Sequence, residues 1–189
     1  MRIAVLALQG AFIEHERMLQ QLGAECFEIR QLADWHQPKD GLVIPGGEST
    51  TMLKLLNDLS LLQPIRDAIE GGLPVFGTCA GLILLAKHVE GEDFDRLSTM
   101  DIRVRRNAYG RQLGSFHTTL DMAEVGQEVP ATFIRAPYID QVEGTARTLA
   151  TVDGHIVAAR QGNQLVTAFH PELDSDPRVH QYFLSMIAK

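Results

Sequence analysis

Long apolar runs, clustered positive charge and cysteine are all scarce in this sequence. No apolar stretch approaches the roughly 20 residues that a helical membrane span takes, so a helical membrane protein is excluded. Lysine and arginine number 17 against 24 aspartates and glutamates, a formal net charge of -7. Phosphate backbones are held by clustered Lys and Arg, so no nucleic-acid surface is expected. The two cysteines, Cys26 and Cys79, lack metal-type spacing, which suits a reducing, cytoplasmic setting. Internal repeats and low-complexity linkers are also missing. What is present is ordinary for a soluble globular protein, with 45% hydrophobic and 22% charged residues, and 189 residues suffice for one well-buried core, read as a single domain over 1–189.

The amino terminus is basic and then apolar from Ile3 to Leu8, which loosely mimics a signal peptide. Gln9-Gly10 ends that run, and Glu14, Glu16 and Arg17 follow on a helical pattern, so it reads as a first buried strand. Apolar spacing at Phe12, Met18, Leu19 and Leu22 then predicts a helix over 11–22. Further strands are expected at Cys26–Ile29, with Cys26 in the core, and at Gly41–Ile44, separated by a polar segment around 34–40. The latter runs straight into Pro45-Gly46-Gly47-Glu48-Ser49-Thr50. A helix with Met52, Leu53, Leu55 and Leu56 follows, then another over 62–69 ended by Gly71-Gly72, then the apolar Leu73–Phe76. Strands alternating with helices predict an α/β fold, a three-layer, mostly parallel central sheet flanked by helices, with functional loops at the strand C-termini. Beyond about Glu90 the texture becomes short and β-rich (101–106, 112–119, 131–136, 147–152, 155–160, 164–169), read as antiparallel hairpins added to the sheet. Asp153-Gly154 marks one hairpin turn, and 179–188 a closing amphipathic helix.

The chemistry centres on Gly77-Thr78-Cys79-Ala80-Gly81, which follows the apolar strand and opens a helix. Its glycine spacing is that of the G-x-S-x-G elbow, where small flanking residues let the chain turn tightly enough to present a nucleophile. Here the nucleophile would be sulfur. At a helix start, unpaired N–H groups and the positive end of the macrodipole favour thiolate. A free cysteine is more commonly a buried structural thiol, but the flanking glycines and the strand-to-helix turn reverse that reading. A thiol also needs a base, and the base a group that orients it. His170 and Glu172 in His170-Pro171-Glu172 can supply both, because residues i and i+2 share a face in extended chain. His-Pro-Glu alone would pass for a solvated strand end; joined to the elbow, it reads as the rest of a triad.

Taken together, Gly-Thr-Cys-Ala-Gly, Pro-Gly-Gly-Glu-Ser and His-Pro-Glu in this order resemble the class I, triad-type glutamine amidotransferases, which have a flavodoxin-like fold. The strings Leu8-Gln9-Gly10, 45–51, Arg105-Arg106-Asn107-Ala108-Tyr109-Gly110-Arg111-Gln112 and Phe133-Ile134-Arg135-Ala136-Pro137 narrow the resemblance to the glutaminase subunits of pyridoxal 5'-phosphate synthases, over nearly the whole chain. The resemblance implies that Cys79 attacks the side-chain amide of L-glutamine to form a glutamyl thioester, with His170 as proton carrier and Glu172 as its support. It implies oxyanion donors at the backbone N–H groups of Gly47 and Ala80. It places Gly46, Gly47, Glu48, Ser49, Arg106, Ile134 (through its backbone) and Arg135 around the substrate; arginine suits the α-carboxylate because its planar fork binds bidentately. The implied partner is a separate (β/α)8-barrel synthase subunit that takes up the ammonia, and no metal or bound cofactor is expected on this chain.

His117 and the stretch Leu173-Asp174-Ser175-Asp176 depart from the family pattern. The remaining histidines, at 15, 36, 88, 155 and 180, read as surface or helix-face residues without a role, and Arg103, Arg105 and Arg111 as solvated. Three other functions share these motifs: a class I glutaminase serving another ammonia acceptor, a related cysteine hydrolase acting on peptides, and a catalytically silent flavodoxin-like module binding an anion at a helix N-terminus.

Overall fold

The structure, a computed structural model, describes residues 1–106 and 114–188. Four apolar runs with no polar alternation, β1 (Arg2–Leu6), β3 (Gly41–Ile44), β4 (Val75–Thr78) and β12 (Gln164–Thr167), stand side by side as parallel strands, with β2 (Glu25–Ile29) outside β1. Strands covered on both faces need apolar side chains on both faces, and Ile3–Leu6, Leu42–Ile44, Val75, Phe76, Leu165 and Val166 are all fully buried. Beyond β12 the sheet turns antiparallel through β11 (His155–Gln161), β9 (Tyr138–Val142) and β6 (Met100–Arg105), and ends at β5 (Ala86–Val89), with β10 (Arg147–Val152) paired to β11.

Two helical layers cover the parallel half. Phe76 of β4 packs edge-on against His15 of α1 (Phe12–Gln21) and His180 of α6 (Arg178–Ile187), and against Phe183 of α6, so α1 and α6 lie on that face. The adjacent Gly77 faces the other way, toward α5 (Ala80–Leu85), which packs with α3 (Ser49–Asp58); α3 packs in turn against α4 (Leu62–Glu70). The three-layer arrangement expected from the sequence is present. No helix among the described residues is long and apolar enough to cross a membrane.

Four differences from the expectation matter. The polar segment after β2 contains a short helix, α2 (Leu32–Trp35), in which Gln31 and Asp34 cap each other and Trp35 is buried. Helix α5 stops after six residues, and the chain continues as β5. A strand at Tyr138–Val142 joins the sheet although its sequence did not announce it. Not all the late hairpins join the central sheet: β7 (Ser115–Met122) and β8 (Gly126–Ile134) form a separate two-stranded sheet. Residues 107–112 of the long motif, Arg111 among them, and the first residues of the strand expected at 112–119 lie outside the described residues. At the Asp153-Gly154 turn both residues have positive φ, 51° and 80°, as a two-residue hairpin of this twist requires.

Candidate active site

Three neighbouring strands, β3, β4 and β12, end at the same edge, and the loop after each contributes to one cleft of about 540 Å³. Its lining includes Gly46, Gly47, Glu48 and Ser49 after β3, Cys79 and Ala80 after β4, and His170 after β12, with Arg106, Ile134 and Arg135 closing the side. Every residue expected at the site therefore lines the cleft except Glu172, which sits behind His170 and is buried.

Cys79 occupies a strained bend, with φ 51° and ψ -101°, between β4 and α5. A non-glycine residue in so sparsely populated a backbone region costs about 1–3 kcal/mol, and two features hold it there. Its N–H donates to the carbonyl of Thr167 on β12 at 2.8 Å. The chain on either side is packed too closely for side chains: a Cβ on Gly77 would lie 2.8 Å from the carbonyl carbon of Gly81, and one on Gly81 would lie 2.2 Å from the carbonyl oxygen of Ile44. The glycine spacing legible in the sequence thus records helix α5 lying against its own strand and against β3.

His170 follows β12 and is fixed through its backbone, its N–H donating to Thr132 of β8 at 2.9 Å. Its Nδ1 lies 2.6 Å from Oε1 of Glu172, which leaves Nε2 for the Cys79 thiol. Burial alone would lower the basicity of this imidazole. Its hydrogen bonds with Cys79 and Glu172, and their charges, outweigh that and raise its pKa to about 10. Gly46 makes room for the ring: a Cβ there would stand 2.5 Å from its Cε1. The loop is further tied by Gln9, whose Oε1 accepts the N–H of Glu48 at 2.7 Å. Gly10 packs against the carbonyl of Gly46, where a Cβ would intrude to 1.6 Å.

On the rim, Glu48 caps α3. Although partial burial acts the other way, hydrogen bonds from the backbone and side chain of Thr51 and from Thr50 lower its pKa to about 2. Arg106 holds Glu92 through Nη1 and reaches Glu48 Oε1 with Nη2 at 3.3 Å. Arg135 is exposed at the end of β8, with φ 43° and its N–H donating to Gly114 at 2.6 Å. Arg103 and Arg105 are exposed and pair with Glu143 and Glu90, in keeping with a solvated role. The two departures from the family pattern meet: His117 Nε2 lies 3.1 Å from one oxygen of Asp174, and Thr132 Oγ1 donates to the other at 3.0 Å.

Two expectations are overturned. Cys26 is half-buried at the sheet edge rather than in the core; burial, Glu16 and Glu25 push its thiol up to about 11. His15 and His180 are not surface residues but completely buried, directly behind the cleft, where His15 Nδ1 and His180 Nε2 are 2.8 Å apart. His36 and His88 are exposed, and His155 stacks on Tyr138. His15 was detectable: it lies three residues after Phe12 and four before Leu19, on the apolar stripe of α1. Gly10, Ala11, Ile83 and Leu173 also line the cleft without having been expected at the site.

A thiol at a strained strand-to-helix bend, facing an imidazole backed by a carboxylate, is the equipment of a cysteine-dependent amide hydrolase. The chain belongs to the SNO glutamine amidotransferase family, whose pattern matches residues 5–189. It is 61% identical over 188 residues to the pyridoxal 5'-phosphate synthase subunit PdxT of Methanocorpusculum labreanum, covering 100% of this chain and 98% of that one. It is 57% identical over 189 residues to the Streptococcus pneumoniae protein of the same name, covering 98% and 97%. A solved structure described as a glutamine amidotransferase superposes with a TM-score of 0.93 at 41% identity, over 99% of both chains.

Proposed function

We propose that residues 1–189 act as one glutaminase domain that hydrolyses L-glutamine to L-glutamate and ammonia. The Cys79 thiolate attacks the side-chain amide carbon, and the carbonyl π electrons move onto oxygen. The N–H groups of Gly47 and Ala80 receive that oxyanion; one such donor is typically worth about 3–4 kcal/mol in the transition state. As the intermediate collapses, the C–N bond breaks and His170, as imidazolium, hands its proton to the departing nitrogen. The glutamyl thioester that remains is attacked by water, from which the now neutral His170 takes a proton, and the thiolate leaves with glutamate released. Glu172 keeps the His170 Nδ1 proton engaged, so that Nε2 does the transfers.

Arg135 and Arg106 suit the α-carboxylate of glutamine, with Glu48, Ser49, Gly46 and the Ile134 backbone completing the substrate's surroundings. Arg106 serves while held by Glu48 and Glu92, so its fork is oriented before substrate arrives. Relatives named as pyridoxal 5'-phosphate synthase subunits support a role in making that compound. The ammonia passes to a separate synthase subunit, a (β/α)8-barrel by resemblance.

The observation that carries this reading is the His170 imidazole held between the Cys79 thiol and the Glu172 carboxylate beside the cleft. The test is glutamate release from L-glutamine in the presence of the barrel subunit, with and without Cys79→Ala. Loss of a covalent nucleophile is expected to lower turnover by about a thousandfold or more. Turnover that survives the substitution overturns the triad.

A further inference from the structure

The triad carboxylate has a second side. One oxygen of Glu172 meets His170, while the other, Oε2, is buried with no hydrogen-bond partner and stands 3.5 Å from His15 Nε2. That same His15 nitrogen lies 3.2 Å from Oγ1 of Thr78, the residue before the nucleophile. On its far side His15 Nδ1 meets His180 Nε2 at 2.8 Å, and His180 Nδ1 is buried with no partner. Glu172, His15 and His180 are thus in file from the cleft into the packing between α1 and α6, with both imidazoles completely buried.

Burial, and then the neighbouring His180 and His170, hold His15 well below the ordinary histidine range, and burial lowers His180 to about 3, so both rings are neutral and each carries one N–H. If His180 protonates Nδ1, a donor is buried unpaired, and His15 must donate from Nδ1 to His180 and turn a bare Nε2 toward the carboxylate. If His180 protonates Nε2, it donates to His15 Nδ1, and His15 donates from Nε2 toward Thr78 Oγ1 and Glu172 Oε2. The unpartnered His180 Nδ1 is then merely an acceptor. Only the second arrangement leaves every buried N–H with a partner and no lone pair facing the negative charge.

We propose that His15 is a positioning residue of the active site, donating from Nε2 to the outer face of the Glu172 carboxylate, and that His180 fixes the tautomer that lets it do so. This rests on the glutaminase reading for its consequence in turnover. A carboxylate bonded on one side only can rotate about its last torsion; with His15 on the other side its plane is set, and with it the ring of His170. The groups facing Glu172 are then His170 from the loop after β12, His15 from α1 and, through His15, Thr78 from β4 and His180 from α6.

The experiment compares His15→Gln, which places an amide where Nε2 stands, with His15→Asn, which places one where Nδ1 stands, and with His15→Leu. Outer partners that orient a working side chain are typically worth about 10- to 100-fold. Asn and Leu should lower kcat for glutamine hydrolysis in the complex by that factor with KM within about twofold, and Gln should recover most of it. In parallel, the rate of Cys79 alkylation by iodoacetamide at pH 7, read by peptide mass spectrometry, should fall in Asn and Leu and not in Gln, because a carboxylate free to turn no longer holds the His170 ring toward the thiol. If Leu fails to fold, the ordering of Gln above Asn still decides. Equal behaviour of Gln and Asn, or an alkylation rate unchanged in all three, overturns the proposal. Alkylation needs no glutamine, so the absence of glutamate release by the unsubstituted complex would overturn the glutaminase reading alone and leave the His15 result standing.

Discussion

At the scale of single residues, the pair His170–Glu172 links stability to pH. A histidine raised from 6.5 to about 10 on folding adds stability that is complete below about pH 6.5 and is lost as pH rises through the folded value. Cys79 and Glu172 together sustain the imidazolium; Glu172→Gln removes the carboxylate's share, and breaking a buried ion pair costs about 3–5 kcal/mol. Urea unfolding of both forms should show that deficit near pH 6 and a gap that narrows from pH 7 to pH 10, because only the unsubstituted protein has a proton to lose there. A gap that widens with pH would mean His170 is not held protonated by Glu172. The sequence exposed the chemistry-bearing residues because their types are rare at such turns: a thiol between two glycines, and a histidine two places before a carboxylate. His15 it marked only by its place on the apolar stripe of α1, and the burial of His180 it did not expose, since a histidine on an amphipathic helix reads as polar until the helix's burial is known. Both lie on faces that the fold covers completely.

At the scale of elements, the parallel half was legible because strands buried on both faces must be continuously apolar, and Ile3–Leu6, Leu42–Ile44 and Val75–Phe76 are. The antiparallel half was less so. Strand β5, Ala-Lys-His-Val, alternates only at its ends and follows a leucine-rich helix without a breaker, and β7–β8 pairs with itself in a way that local pattern cannot distinguish from joining the main sheet. The turns give a sharper test of what glycine does in each place. At Gly154, φ is 80° and nothing stands within 4 Å of an added Cβ, so Gly154→Ala carries only a conformational cost of about 1 kcal/mol. At Gly81 the added methyl meets the backbone of Ile44, and α5 must lift from β3, an overpacking cost of about 1–3 kcal/mol or more. Calorimetry should rank Gly81→Ala below Gly154→Ala in Tm, and only Gly81→Ala should slow glutamate release, since it displaces the bend that carries Cys79. Equal losses of activity would separate the elbow from the chemistry.

At the scale of the whole molecule, the question is where the product goes. Ammonia set free in neutral water becomes mostly ammonium, which has no lone pair to offer an acceptor, so a glutaminase that fires in solution wastes its substrate. The Methanocorpusculum labreanum and Streptococcus pneumoniae relatives are named as subunits of a pyridoxal 5'-phosphate synthase and match this chain over 97–98% of their own length. A site of this kind gains from being poor until its acceptor is docked. The separate β7–β8 sheet offers a physical route for such coupling: Thr132 holds the His170 backbone, Ile134 and Arg135 at its end line the cleft, and Arg178 of α6 donates to the carbonyls of Gln127 and Glu128 at its base. A displacement of this hairpin would bear on the base and the substrate pocket together, since both are tied to it. Glutamate release should therefore be slow for the chain alone and rise about tenfold or more, a gain of about 1.4 kcal/mol, when the synthase subunit is added at saturating concentration. The increase should fall mainly in kcat, because the change sought is in the alignment of the triad rather than in glutamine affinity. Arg178→Ala, which frees the base of the hairpin, should reduce that stimulation while leaving the unstimulated rate within about twofold, and equal glutamate release with and without the synthase subunit would rule out coupling.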